Sequence, residues 1–207
     1  MENLHGPGYC QCHAVSQDAD PFGSDLLSSI HLEAVTCLNE QTPHSGRLVF
    51  KTKENKLDRT ESLKSNEGDQ ELLLYIPFVC PVKVLSMCII GGGGGTSPQL
   101  VRVFKNNDHL DFSNVAQMAP VQTFELLENP LGELEYMTRV SKWTNTNSLY
   151  MHFPQSTGEN YTEITYIGIK GESSNYKRQA VISVYESRAM KKDHKTWDEA
   201  MGDEGIR

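Results

Sequence analysis

Leu72-Leu73-Leu74-Tyr75-Ile76-Pro77-Phe78-Val79-Cys80-Pro81-Val82-Lys83-Val84-Leu85-Ser86-Met87-Cys88-Ile89-Ile90 is the stretch that decides the fold class. Leu72, Leu74 and Ile76 alternate with Leu73 and Tyr75, the period of two that sends neighbouring side chains to opposite faces of a strand. Pro77 and Pro81 punctuate the run, so residues 82–90 read as a second strand. Pro81, Lys83 and Ser86 also break its second half well short of the roughly 18 apolar residues that a membrane helix needs. The five glycines 91–95 that follow read as the tip of a hairpin.

Outward from this stretch, β-type runs recur at residues 100–105, 122–126, 134–142, 148–153, 163–170 and 179–185, separated by connections rich in Asn, Gly and Pro. Leu149, Met151 and Phe153 share one face, as do Thr165, Ile167 and Ile169. Upstream, residues 31–39 predict a turn or short strand and residues 47–51 a first β segment. The highly charged stretch 52–70 predicts a surface loop that only Leu57 and Leu63 could anchor. Short strands in series with no helical stretch between them predict an all-β fold, an antiparallel two-sheet β-sandwich of the jelly-roll kind. The expected organisation is a flexible tail over residues 1–24, the sandwich over 25–188 and a charged tail over 189–207.

A chain of 207 residues suits one core. Its 27 acidic against 19 basic side chains give a net charge of -8, which repels a phosphate backbone and argues against nucleic acid as a partner. The first nine residues carry neither a basic nor an apolar signal region, so no secretory signal is expected, and an address in the cytosol or nucleus follows. Five cysteines in a reducing compartment have no disulfide logic, and Cys37, Cys80 and Cys88 read as small core hydrophobes. On the same expectation the sequon Asn160-Tyr161-Thr162 never meets the glycosylating enzyme. Charged loops and the lack of an obvious apolar stripe on the body suggest a monomer.

Seven segments, in order, resemble the PITH domain: Cys37-Leu38-Asn39-Glu40, Glu71-Leu72-Leu73-Leu74-Tyr75-Ile76-Pro77-Phe78, Val101-Arg102-Val103-Phe104-Lys105-Asn106, Gln122-Thr123-Phe124, Gly132-Glu133-Leu134-Glu135-Tyr136, Tyr166-Ile167-Gly168-Ile169-Lys170-Gly171-Glu172 and Val184-Tyr185-Glu186. The resemblance implies a sandwich similar to galactose-binding-like jelly rolls and a docking role on the regulatory particle of the proteasome. Relatives join this domain to a thioredoxin domain. This sequence holds no Cys-x-x-Cys, so disulfide exchange is not carried over and no cofactor is implied. It resembles the stand-alone members, whose short N-terminus is rich in His, Gly and Cys.

Candidate chemistry is sparse. His5, Cys10, Cys12 and His13 are ligand types that zinc or copper prefers, but their spacing is no standard site, and incidental thiols in a flexible tail are the plainer reading. Thr96-Ser97-Pro98 after the glycines supplies no P-loop lysine. Glu133 and Glu135 would share a strand face as a carboxylate pair or, more simply, as a solvated surface. His31, His44, His109 and His152 are scattered singly, and His152, alternating with Met151 and Phe153, is expected to point away from the core. An exposed Trp143 with Asn145 and Asn147 nearby would suit a carbohydrate-binding alternative. Near the C-terminus Met190, His194, Trp197 and Met201 fall on one helical stripe. Asp193-His194-Lys195 resembles the family's own C-terminal motif, which makes this segment a candidate partner-binding element. These expectations together describe a non-catalytic interaction module.

Overall fold

A computed structural model describes Asp20, residues 22–107 and residues 109–174. In chain order they form β1 (Ser24–Asp25), β2 (Thr36–Leu38), β3 (Leu63–Lys64), β4 (Leu72–Gly91), β5 (Leu100–Lys105), α1 (Phe112–Val115), β6 (Gln122–Glu125), β7 (Tyr136–Met137), β8 (Thr146–Phe153) and β9 (Glu163–Ser173), with short 3-10 turns between. The strands join one antiparallel sheet in the order β1-β9-β4-β8-β5-β6, to which β2 and β7 add along β4 and β3 along β9.

β4 is the spine. Its first part, through Pro77, pairs with β8, and from Val82 onward it pairs with β9. One strand therefore serves two partners, and the sheet curls around a single core to which β4, β5, β6, β8 and β9 all contribute. Leu72, Leu74 and Ile76 meet Leu149, Met151 and Phe153 in that core, as the period of two requires, and Val84, Met87 and Ile89 meet Ile167 and Ile169, a register shift between Val84 and Ser86 returning Met87 to the inner face. Burial of this kind is worth roughly 25 cal/mol per Å² of apolar surface and drives the fold. The opposite face of β4, β5 and β8 carries a smaller cluster of Leu73 and Phe104 under Leu110 and Val115. A capping box between Asp111 and Asn114 holds α1 there.

Four expectations are corrected. Pro77 and Pro81 do not divide the spine into two strands, because both fall where β4 changes partner and the register shifts. Residues 47–51 are not a β segment: Ser45–Val49 is a 3-10 helix, drawn in by the Glu40 carboxylate, which accepts from the backbone of His44 and Gly46. The glycines 91–95 are no hairpin tip, since β8 lies between β4 and β5 in the sheet. Gly91 ends β4, and the connection that follows is tied by Gly92 N–H to the carbonyl of Glu163 at the start of β9 and by Gly158 N–H to the carbonyl of Gly95. Of residues 134–142 only β7 is a strand, the stretch ending in the 3-10 turn Val140–Lys142. Of the two expected loop anchors, Leu63 is buried and Leu57 is exposed.

The expected strand at 179–185 lies outside the described residues. Cys37 and Cys88 are buried as expected, and Cys80 is partly buried against the core.

Candidate functional site

The residues singled out for chemistry are placed apart. Trp143 is fully buried rather than exposed, its indole N–H donating to Gln122 Oε1 at 2.9 Å, so no face is left to stack on a sugar. Val84 N–H, remote in sequence, and the Thr146 hydroxyl both bond the Trp143 carbonyl, which draws that residue in against β4. Glu133 and Glu135 do not form a shared solvated face. Glu133 is exposed, whereas Glu135 turns inward to an ion pair with Lys170 at 2.5 Å and accepts from the Ser86 hydroxyl at 3.0 Å. His5, Cys10, Cys12 and His13, and likewise Met190, Asp193, His194, Lys195, Trp197 and Met201, lie outside the described residues. No group of three or more potential metal ligands occurs among the described residues.

His152 departs most sharply from expectation. It does face away from the main core, yet it is only 3% exposed, packed between β4 and β5 on the face covered by α1. Its Nε2 lies 2.6 Å from Glu71 Oε1, which makes Nε2 the donor to the carboxylate and leaves the buried Nδ1 without a partner. Burial lowers the imidazole pKa below its usual 6.5, and the Arg102 guanidinium adds to this while Glu71 opposes it. A group whose folded pKa is depressed binds fewer protons folded than unfolded just below pH 6.5. The melting temperature should therefore hold above pH 6.5 and fall as the pH drops below it. His152→Gln should flatten that slope over the first unit below 6.5, before the carboxylates titrate. An unchanged slope in the variant would place the pH response elsewhere.

A candidate site that the sequence reading missed lies between β6 and β7. Asn129-Pro130-Leu131-Gly132 has the residue order that a type I turn prefers, and Gly132 N–H bonds the Asn129 carbonyl at 3.1 Å. Gly132 sits at φ 65°, and a Cβ there would come within 2.8 Å of Ile90. Asn129, 4% exposed, pins the loop: its Oδ1 accepts from Glu133 N–H at 2.9 Å and Leu134 N–H at 3.2 Å, and its Nδ2 donates to Leu134 O and Ile89 O. Cys88 Sγ bonds Gly132 O from beneath, with its thiol pushed up to about 11 by burial and by Glu135. Lys56 and Arg59 bond the carbonyls of Gly132 and Pro130 from the side, and Leu127 N–H closes the neck on the Tyr136 hydroxyl.

This firmly tied loop displays Leu127 at 69%, Leu131 at 56% and Leu134 at 40% exposure. Met137 and Val140, further along the chain, are exposed as well. The expectation of a body without an exposed apolar stripe is thereby corrected. A rigid loop that keeps several large apolar side chains in water is a recognised mark of an interaction surface.

Comparison with known proteins bears on family and fold. The PITH domain matches residues 17–189. The chain is 38% identical over 162 residues to PITH domain-containing protein 1 of Dictyostelium discoideum, covering 78% of this chain and 80% of that one. Its counterpart in Xenopus laevis is 37% identical, covering 92% and 91%, and that in Homo sapiens 36% identical, covering 92% of each. Among solved structures, the family 32 CBM from C. perfringens NanJ in complex with galactose superposes with a TM-score of 0.51 at 12% identity, over 70% of this chain and 97% of that module. CpGH89 from Clostridium perfringens gives 0.52 at 10% identity, over 77% and 16%. Identities this low show the fold alone, which is the galactose-binding-like jelly roll.

Proposed function

Because this chain belongs to the PITH-domain family, we propose that it is a non-catalytic protein-interaction module whose partner is the regulatory particle of the proteasome. The observation that carries the reading is the loop at 127–136, which exposes three leucines while a buried Asn129 ties down its backbone at Glu133 and Leu134. Apolar side chains fixed before binding lose little conformational entropy on docking, so most of their burial appears as affinity. The tail residues Met190, Asp193, His194, Lys195, Trp197 and Met201 are a second proposed contact, with Trp197 its aromatic anchor. An address in the cytosol or nucleus goes with this reading.

The test is retention of the full chain on purified, immobilised regulatory particle. The unaltered chain should be retained, Leu127→Ser with Leu131→Ser should lose most of that retention, and Trp197→Ala should reduce it if the tail contributes. Absence of retention for the unaltered chain would sink the proposal. Equal retention of the leucine variant would move the contact away from this loop.

A further inference from the structure

We infer that the leucine loop seats in an apolar pocket whose rim is basic, so that charge as well as shape selects its partner. The inference rests on the reading of this chain as an interaction module and assigns the chemistry of the surface that receives it.

Three features carry it. The loop presents its leucines outward: Leu127 precedes the turn at 129–132 and Leu131 lies within it, and these are the two most exposed large apolar side chains on the loop, so the complement is a pocket and not a ridge. Next, Glu125, Glu128 and Glu133 lie within two residues of the leucines in sequence, and their carboxylates are exposed and have no hydrogen bond or ion pair among the described residues. The neighbouring charges are accounted for differently. Glu135 is neutralised by Lys170, whereas Lys56 and Arg59 keep their positive charge as they bond the carbonyls of Gly132 and Pro130, so carboxylates outnumber cations at the loop by three to two. Finally, the whole chain carries a net charge of -8, which repels an acidic partner before contact is made.

Exposed leucines with unpaired carboxylates beside them in sequence fit the division of labour found at interfaces. Buried anchors supply affinity, while rim charges supply orientation and association rate. Rim charges act through water, so their contribution is strongest at low salt and fades as the Debye length shrinks. That separates the two contributions experimentally.

The probe is the purified regulatory particle, and the affinity of the full chain for it is measured at low and at physiological salt. Three proteins are compared: the unaltered chain, Leu127→Ser with Leu131→Ser, and Glu125→Lys with Glu128→Lys and Glu133→Lys. All the substituted side chains are exposed, so melting temperatures should stay close to that of the unaltered chain, which confirms folding. The leucine variant should bind about tenfold or more weakly at both salt concentrations. The lysine variant should bind about tenfold more weakly at low salt and recover toward the unaltered chain as salt is raised. Equal affinity of the lysine variant and the unaltered chain at both salts overturns the basic rim while leaving the interaction reading intact. Equal affinity of the leucine variant overturns the apolar pocket. Failure of the unaltered chain to bind overturns the interaction reading and this inference with it.

Discussion

Trp143→Ala is expected to lower the folding free energy by about 3–5 kcal/mol, the cost seen when a large buried aromatic is emptied from a core. Trp143 is fully buried and packs against Phe124, whose ring centroid is 6.4 Å away. Removal of the indole also strips Gln122 Oε1 of one donor, although Arg139 N–H still reaches that oxygen. Through its backbone the same residue joins the 3-10 turn at Val140–Lys142 to β4 and β8, so the cavity would open where three elements meet. For a domain of this size the melting temperature should fall by about 10 °C. Trp143→Phe, which refills much of the space, should lose roughly half as much. Thermal unfolding of the two variants beside the unaltered chain checks this. A loss below about 1 kcal/mol for the alanine variant would mean the site collapses around the gap, and the aromatic would not be central to the core.

Much of the sandwich was legible because strands with one face in the core obey the period of two. β5 was bounded correctly, and β8 and β9 were found with their inward residues Leu149, Met151, Phe153, Ile167 and Ile169. Periodicity fails where partners change along a strand. Nothing local in Pro77 or Pro81 says that β8 will hand over to β9 there, since that depends on which strands arrive from residues remote in sequence. It fails again where both faces are covered. Alternation correctly sends His152 away from Met151 and Phe153, but α1 and its flanking residues roof that side too. Trp143 was misplaced because residues beside Asn145 and Asn147 look like a surface turn, and its burial follows from bonds to Val84 and Gln122 far away in the chain. The leucine loop could have been found. Asn129-Pro130-Leu131-Gly132 is a turn signal in plain view, and leucines on either side of a turn among glutamates are exposed by default. Reading residues 134–142 as a strand assigned Leu134 to a sheet and hid the pattern.

Asn129→Ala should act on that loop from below, with consequences for stability, motion and binding that can be read separately. The buried amide makes hydrogen bonds to Glu133 N–H, Leu134 N–H, Leu134 O and Ile89 O, and alanine leaves each of those groups to find another partner. Groups near the surface recover water, whereas Ile89 O, on a strand whose side chain is 4% exposed, has less access to it. The expected loss is about 2–4 kcal/mol, larger than for any single exposed leucine on the loop. Dynamics should change more than the global fold. The neck at Leu127 and Tyr136 and the side bonds from Lys56 and Arg59 remain, but the pin between them is gone. Amide exchange at Glu133 and Leu134 should accelerate by about a hundredfold, while the amides of β8 and β9 follow only the global loss. Binding should weaken even though all three leucines are present, because the partner must then order a loop that the unaltered chain supplies already ordered. Hydrogen exchange on the variant, set beside its affinity for regulatory particle, tests the sequence of cause. Should exchange at Glu133 and Leu134 remain as slow as in the unaltered chain, Asn129 is not what holds the leucines in place. Faster exchange with undiminished affinity would instead show that the rigidity of the loop is irrelevant to docking.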